Sequence, residues 1–172
     1  MRKAYLAPLC VLIACFLAAL LGAVQNQLAY PVSPSWFHDW KFSQFDIPPA
    51  LHDRAGASLV GLLATWWLGL ILGFVLLIPC LFQPTARRMF SAFLKAALFV
   101  LAATLMAEIA AALWGLARIN SETAPGWTRV FDDPAAAARV QFINFIGYLA
   151  AAGATVLAAG WLCRAKIRFV LK

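Results

Sequence analysis

The chain carries very little charge: Asp, Glu, Lys and Arg make up 12% of its 172 residues, against 64% hydrophobic, and its mean hydropathy is +0.83. Soluble domains are about a quarter charged and about half apolar, so this shortage excludes an ordinary water-soluble fold. Histidine is nearly missing as well. Only His38 and His52 occur, both outside the apolar runs, which leaves a membrane b-type haem without ligands in its helices. The four cysteines include no Cys-x-x-Cys pair, which argues against a quinone-linked thiol oxidoreductase. Gly-rich phosphate loops, zinc signatures and nucleophile-base pairs are also lacking. No cofactor is implied. The net charge of +7 arises from basic residues at the ends of apolar segments; without a basic stripe on a polar surface, nucleic acid is excluded as a partner.

What is present is a set of four apolar runs, each long enough to cross a hydrocarbon core of about 30 Å, which takes about 20 helical residues. They extend over about 4–24, 59–82, 96–117 and 142–163. The predicted fold is therefore an all-α membrane protein, a single four-transmembrane-helix domain over residues 1–172. The first run follows Arg2 and Lys3 in the manner of a secretory signal, but it is longer than a signal core and is read as a retained helix. Pro79 falls late in the second run, where a membrane helix tolerates it. A short basic turn holding Arg87, Arg88 and Lys95 is expected before the third.

Charge sets the orientation, because Lys and Arg are retained on the cytoplasmic side of short loops. The N-terminus, the turn after the second helix and the C-terminal tail carry Arg2, Lys3, Arg87, Arg88, Lys95, Arg164, Lys166, Arg168 and Lys172 with no acid among them. The other loops mix five basic residues with Asp39, Asp46, Asp53, Glu122, Asp132 and Asp133. Both termini are expected in the cytoplasm of a bacterial inner membrane, with the tail Arg164–Arg168 touching anionic lipid. Cys10, Cys15, Cys80 and Cys163 then all sit in the inner half and read as inert thiols.

Glu108 is the one acidic residue inside a run, and it lies ten residues from the outer end of its helix, about 15 Å at 1.5 Å per residue. A carboxylate there is costly unless paired or protonated. At comparable depth stand Thr65, Trp66 and Tyr148, with Asn144 one turn further out, so these five residues form a candidate polar cluster. It reads either as a proton- or substrate-binding site or as interhelical hydrogen bonding that fixes packing.

The outer loop Gln25–Gly56 holds Trp36, Phe37, Trp40, Phe42 and Phe45 among prolines. It is read as a cap packed on the bundle or as a surface for another membrane subunit, with a short interfacial helix within 35–45. A lid over a cavity is the alternative. The pairs His38-Asp39 and His52-Asp53 contain metal-ligand residue types, but fourteen residues and several prolines separate them, so they are read as solvated polar groups. Small residues four apart, at Gly69 and Gly73, at Ala14, Ala18 and Gly22, at Ala103, Ala107 and Ala111, and at Gly147 and Ala151, point to close helix packing within the chain, with a homo-oligomer left open.

The segment Tyr30-Pro-Val-Ser33-Pro34-Ser35-Trp36-Phe37, followed by Lys41-Phe-Ser-Gln-Phe45, Trp66-Trp67 and Asn144-x-x-x-Tyr148, resembles a group of uncharacterised bacterial four-helix inner-membrane proteins. That group carries Tyr-x-Ile/Val-Ser-Pro-Glu-Tyr-Phe, Lys-Phe-x-x-Phe and Asn-x-x-x-Tyr. Here Ser35 and Trp36 replace the Glu and Tyr. The resemblance covers about two-thirds of the chain and implies no activity, but it marks Tyr30, Ser33, Pro34, Trp36, Phe37, Lys41 and Phe45 as a candidate outer-loop surface. Three functions are expected in order: a non-enzymatic packing or accessory subunit with membrane lipid and another membrane protein as partners, an oligomeric transporter or channel component using Glu108, and an outer-leaflet enzyme built on the His-Asp pairs.

Overall fold

In a computed structural model the backbone is described for residues 3–170 and the side chains for residues 3–164. Four long helices, α1 (Lys3–Ala29), α4 (Arg54–Leu81), α5 (Ala86–Arg118) and α6 (Pro134–Val170), form an all-α bundle, and each is long and apolar enough to cross a membrane. The short elements α2 (Pro34–Trp36) and α3 (Phe42–Gln44), joined by a π-helical turn at Phe37–Lys41, make a continuous helical cap between α1 and α4. Large apolar side chains such as Phe16, Ile71, Phe74, Met106, Leu113, Leu149 and Val156 are exposed around the bundle. Water would not tolerate so continuous an apolar surface, whereas lipid requires one.

Every long helix exceeds its apolar run, because hydrogen bonding and capping, not hydropathy, set the ends. Asp53 accepts from the backbone N–H groups of Ala55 and Gly56 at 2.7 and 3.2 Å and starts α4 five residues earlier than expected. Thr85 accepts from Arg88 N–H at 3.2 Å and starts α5, so Arg87, Arg88 and Lys95 lie on that helix and the expected basic turn shrinks to 82–85. Asp133 accepts from Ala136 N–H ahead of Pro134, a residue suited to a first helical position. At the other end of the first loop, α1 continues through Gln25 to Ala29, so the loop is 30–53. Its last turn is tied to α4: Asn26 Nδ2 donates to the Ala57 carbonyl at 3.0 Å, Gln27 Nε2 to Ser58 Oγ at 2.7 Å, and Arg54 Nη2 to the Gln27 carbonyl at 3.0 Å. Asp53→Ala is expected to destabilise the protein by about 0.5–2 kcal/mol through loss of the cap. Thermal unfolding in detergent checks this against Asp39→Ala, which removes an exposed carboxylate with no such role; equal melting temperatures would overturn it.

The helices associate as two tight pairs, α1 with α4 and α5 with α6, and the pairs meet more sparsely. Small residues make the first pair close. Methyl groups at Gly22 and Gly61 would each overlap the opposite helix's backbone, and one at Gly69 would overlap the Ala14 carbonyl. The small-residue spacing in α1 and α4 is therefore used within the chain. The cores lie at opposite ends. At one end Trp36, Phe37 and Phe42 of the cap pack with Val60, Phe131, Ala137 and Val140. At the other, Leu6, Cys10, Leu76, Cys80, Met89, Phe93 and Leu162 interlock. All four cysteines are free thiols. The side chains of the basic tail beyond Arg164, expected against lipid, lie outside the described residues, as do Arg2 and Lys172.

Candidate functional site

Between the two cores the helix pairs part to leave a groove enclosing about 680 Å³ of non-atom space, its open mouth included. All four long helices line it. Towards the end away from the cap the lining is apolar, from Leu17, Leu21, Leu68, Leu72 and Val100. Towards the cap it becomes polar, with Gln25, Thr65, Thr104, Glu108, Asn144 and Tyr148.

Glu108 on α5 is 7% exposed and has no hydrogen bond or ion pair among the described residues. Its carboxyl rests over Gly147 of α6, where a methyl group would overlap Oε1. A side chain at 147 would therefore push the carboxyl aside. A carboxyl removed from water and denied a protein partner has to be neutral or to find a partner in the groove.

Of the hydroxyls that line the groove, those of Thr65, an expected member of the cluster, and of Thr104 are already bonded. Thr65 Oγ1 is 2.8 Å from the Ala18 carbonyl and 2.9 Å from the Gly61 carbonyl, sharing its proton across the α1–α4 contact. Thr104 donates back to the Val100 carbonyl at 2.8 Å. Trp66 does not join the cluster. One residue on from Thr65 turns it about 100° round the helix, and it is 49% exposed on the outside of the bundle. Asn144 and Tyr148 do line the groove, four residues apart on one face of α6. Tyr148 is 44% exposed and its hydroxyl has no hydrogen-bond partner among the described residues. Gln25 Nε2 donates to Asn144 Oδ1 at 2.9 Å across the two helix pairs. The sequence reading missed Gln25 by assigning Gln25-Asn26-Gln27 to the loop. A helical projection of those three carried the signal, since Gln25 continues the face of Ala14, Ala18 and Gly22.

A second, smaller cavity shares Gln25, Thr65, Asn144 and Tyr148 with this groove and is lined towards the cap by Trp36, Phe37, Lys41 and Phe45. Four of the seven outer-loop candidates therefore meet the intramembrane cluster. Tyr30, Ser33 and Pro34 do not line it: the Tyr30 hydroxyl bonds His38 Nε2 at 2.9 Å, Ser33 is buried beside Ser35, and Pro34 opens α2 on the surface. Lys41 is the only charged residue lining this cavity. Its Nζ donates to Gln44 Oε1 at 2.8 Å and sits 3.7 Å from the Trp40 ring centroid and 5.5 Å from that of Trp36. Burial lowers its pKa to about 8.

No family model matches the chain, nor does any curated protein or solved structure. The site is therefore read from its geometry. The two histidines approach more closely than their spacing foretold, with ring centroids 6.0 Å apart, yet both are engaged. His52 Nε2 donates to the Ile47 carbonyl at 2.9 Å and its ring stacks on Phe42 at 4.5 Å, while Asp53 caps α4. Among the described residues no three His, Cys, Asp or Glu side chains are grouped to hold a metal ion.

Proposed function

We propose that this is a bacterial inner-membrane protein with both termini in the cytoplasm, and that it acts as a transport component in which Glu108 binds a proton or solute within the membrane. The observation that carries the reading is the Glu108 carboxyl, 7% exposed, without a hydrogen-bond or ion-pair partner among the described residues and lining the groove between the helix pairs. Ionisable side chains kept inside a membrane segment mark ion, proton or substrate paths. The orientation is supported by charge, since every acidic residue except Glu108 lies at the cap end, while Lys3, Arg87, Arg88, Lys95 and Arg164 lie at the other. The cap then covers the outer mouth.

Assembly with another membrane subunit is the second reading. Its weaker standing comes from the small-residue faces of α1 and α4, which pack on each other and so are not open to a partner. An outer-leaflet enzyme has less support again, because His52 and Asp53 are engaged in holding the loop.

A hydrophobic carbodiimide, which traps carboxylic acids in apolar surroundings, tests the reading. Mass mapping of the folded protein should find the adduct at Glu108 and lose it in Glu108→Gln. An unmodified Glu108 in protein shown to be folded would sink the binding reading. Proteoliposomes should in addition show proton or solute movement that falls at least about tenfold in Glu108→Gln; movement independent of Glu108 would return the chain to the assembly reading.

A further inference from the structure

Away from the cap, α5 and α6 leave a separate groove on the surface of the bundle, lined by Lys95, Ala96 and Phe99 of one helix and Leu157, Ala158 and Trp161 of the other. It encloses about 780 Å³ of non-atom space, its open side included, and shares no residue with the groove that holds Glu108. Ala96 and Ala158 are buried in the core of this end and form the floor. Lys95, Phe99, Leu157 and Trp161 are exposed and form the walls. Because α5 runs away from this end and α6 runs towards it, Lys95 and Trp161 both stand on the side nearer the end, while Phe99 and Leu157 lie deeper. The groove is therefore polar at its entrance and apolar below.

Lys95 is the only charged residue lining the groove, and it has no hydrogen bond or ion pair among the described residues. It stands nine residues into α5, about 14 Å along the helix, with Phe93 and Leu94 before it and an apolar run after it. An ammonium at that border between headgroups and hydrocarbon keeps its stem on apolar surface and reaches for a polar partner. The protein supplies no anion here: Lys3, Arg87, Arg88 and Arg164 share this end, and every acidic residue except Glu108 lies at the other. A second copy in the same orientation would bring only the same basic set. The counter-charge must come from lipid, and a headgroup that carries its own ammonium would bring that ammonium into basic surroundings.

We infer that the α5–α6 groove binds an anionic phospholipid of the phosphatidylglycerol type. The phosphate pairs with the Lys95 ammonium, and the Trp161 indole N–H, which has no hydrogen-bond partner among the described residues, donates to the phosphate or an ester carbonyl. The upper part of one acyl chain lies on Ala96 and Ala158 between Phe99 and Leu157. Headgroup above and chain below is the order in which a bilayer presents a lipid to this end of the bundle, and basic pockets between membrane helices on the cytoplasmic side take anionic headgroups in this way. The site stands apart from the reading of Glu108 and survives its failure.

Native mass spectrometry tests the inference on the full-length protein in micelles supplied with equal amounts of dioleoyl phosphatidylglycerol and dioleoyl phosphatidylethanolamine. Phosphatidylglycerol should be retained over phosphatidylethanolamine, and Lys95→Gln should lower its retention about fivefold, the effect of one lysine beside an anionic surface. Lys95→Arg should keep it, and Trp161→Ala should weaken it. Arg87→Gln removes a charge from the same end without touching the groove and should leave retention unchanged. Glycerol phosphate, which has the charge but no chains, should not displace the lipid. Lys95 and Trp161 are exposed, so their substitution leaves the core intact, and melting curves establish that each variant is folded. Equal retention of the two lipids by the wild type, a loss in Lys95→Gln no greater than in Arg87→Gln, or displacement by glycerol phosphate overturns the inference.

Discussion

Gly61→Ala is expected to cause one of the largest stability losses of any single methyl addition in this protein. A Cβ at 61 would overlap the Gly22 carbonyl and crowd the Ala23 backbone nitrogen, so it meets main chain on the facing helix, which cannot rotate out of the way. Helices α1 and α4 would have to separate along their whole contact. That contact also carries the Thr65 hydroxyl bridge to Ala18 and the polar ties from Asn26 and Gln27. Overpacking in a close-packed interior costs about 1–3 kcal/mol, and a backbone clash belongs at the upper end of that range. Gly22→Ala should behave alike, since its Cβ would meet the Gly61 carbonyl and Thr65. Gly153→Ala and Gly160→Ala supply the contrast. Nothing lies within 4 Å of the added methyl at either position, so the better helix propensity of alanine, about 1 kcal/mol, should leave them neutral or stabilising. Denaturant or thermal unfolding in detergent reads both sets. Gly61→Ala as stable as Gly153→Ala would mean that the pair is not held as closely as described.

The four helices were legible because lipid demands long apolar runs and hydropathy counts them directly. Their ends were not, because a polar residue can continue a helix where it finds a partner. Gln25 to Ala29, Arg54 to Ser58, the first turns of α5 and the first two turns of α6 are helical through capping and cross-helix hydrogen bonds that no single segment displays. In the site, the depth of Glu108 and the four-residue spacing of Asn144 and Tyr148 were sufficient to bring those three to one groove. Trp66 was misplaced because depth alone selected it and helical angle did not. Lys41 was marked by resemblance as part of a loop motif, but its place in one cavity with Asn144 and Tyr148 depends on how the cap folds back over the bundle. That fold-back depends on tertiary contacts of Trp36 with Trp127 and Phe131, remote in sequence.

Trp36 is accordingly the position where the cap and the groove should fail together. It is 1% exposed, with its ring 5.3 Å from Phe131, 6.0 Å from Trp127 and 4.6 Å from Trp40. It also lines the smaller cavity and lies under Lys41. Truncating a buried aromatic of this size costs about 3–5 kcal/mol. The loss falls on the cap, because the opposite core from Leu6 to Leu162 shares none of these contacts. Trp36→Ala should therefore leave the four long helices folded by far-ultraviolet circular dichroism while hydrogen exchange rises through residues 34–45. Removing the cover should also open the mouth above Glu108, so carbodiimide modification there is expected to accelerate. Trp40→Ala separates cover from charge: Trp40 is half-exposed and carries the closer approach to Lys41 at 3.7 Å, so its loss should weaken the hold on Lys41 and leave the cap folded. If Trp36→Ala leaves both exchange in the cap and modification of Glu108 unchanged, the cap is not what closes the groove, and access to the carboxyl must run between the helix pairs from the lipid.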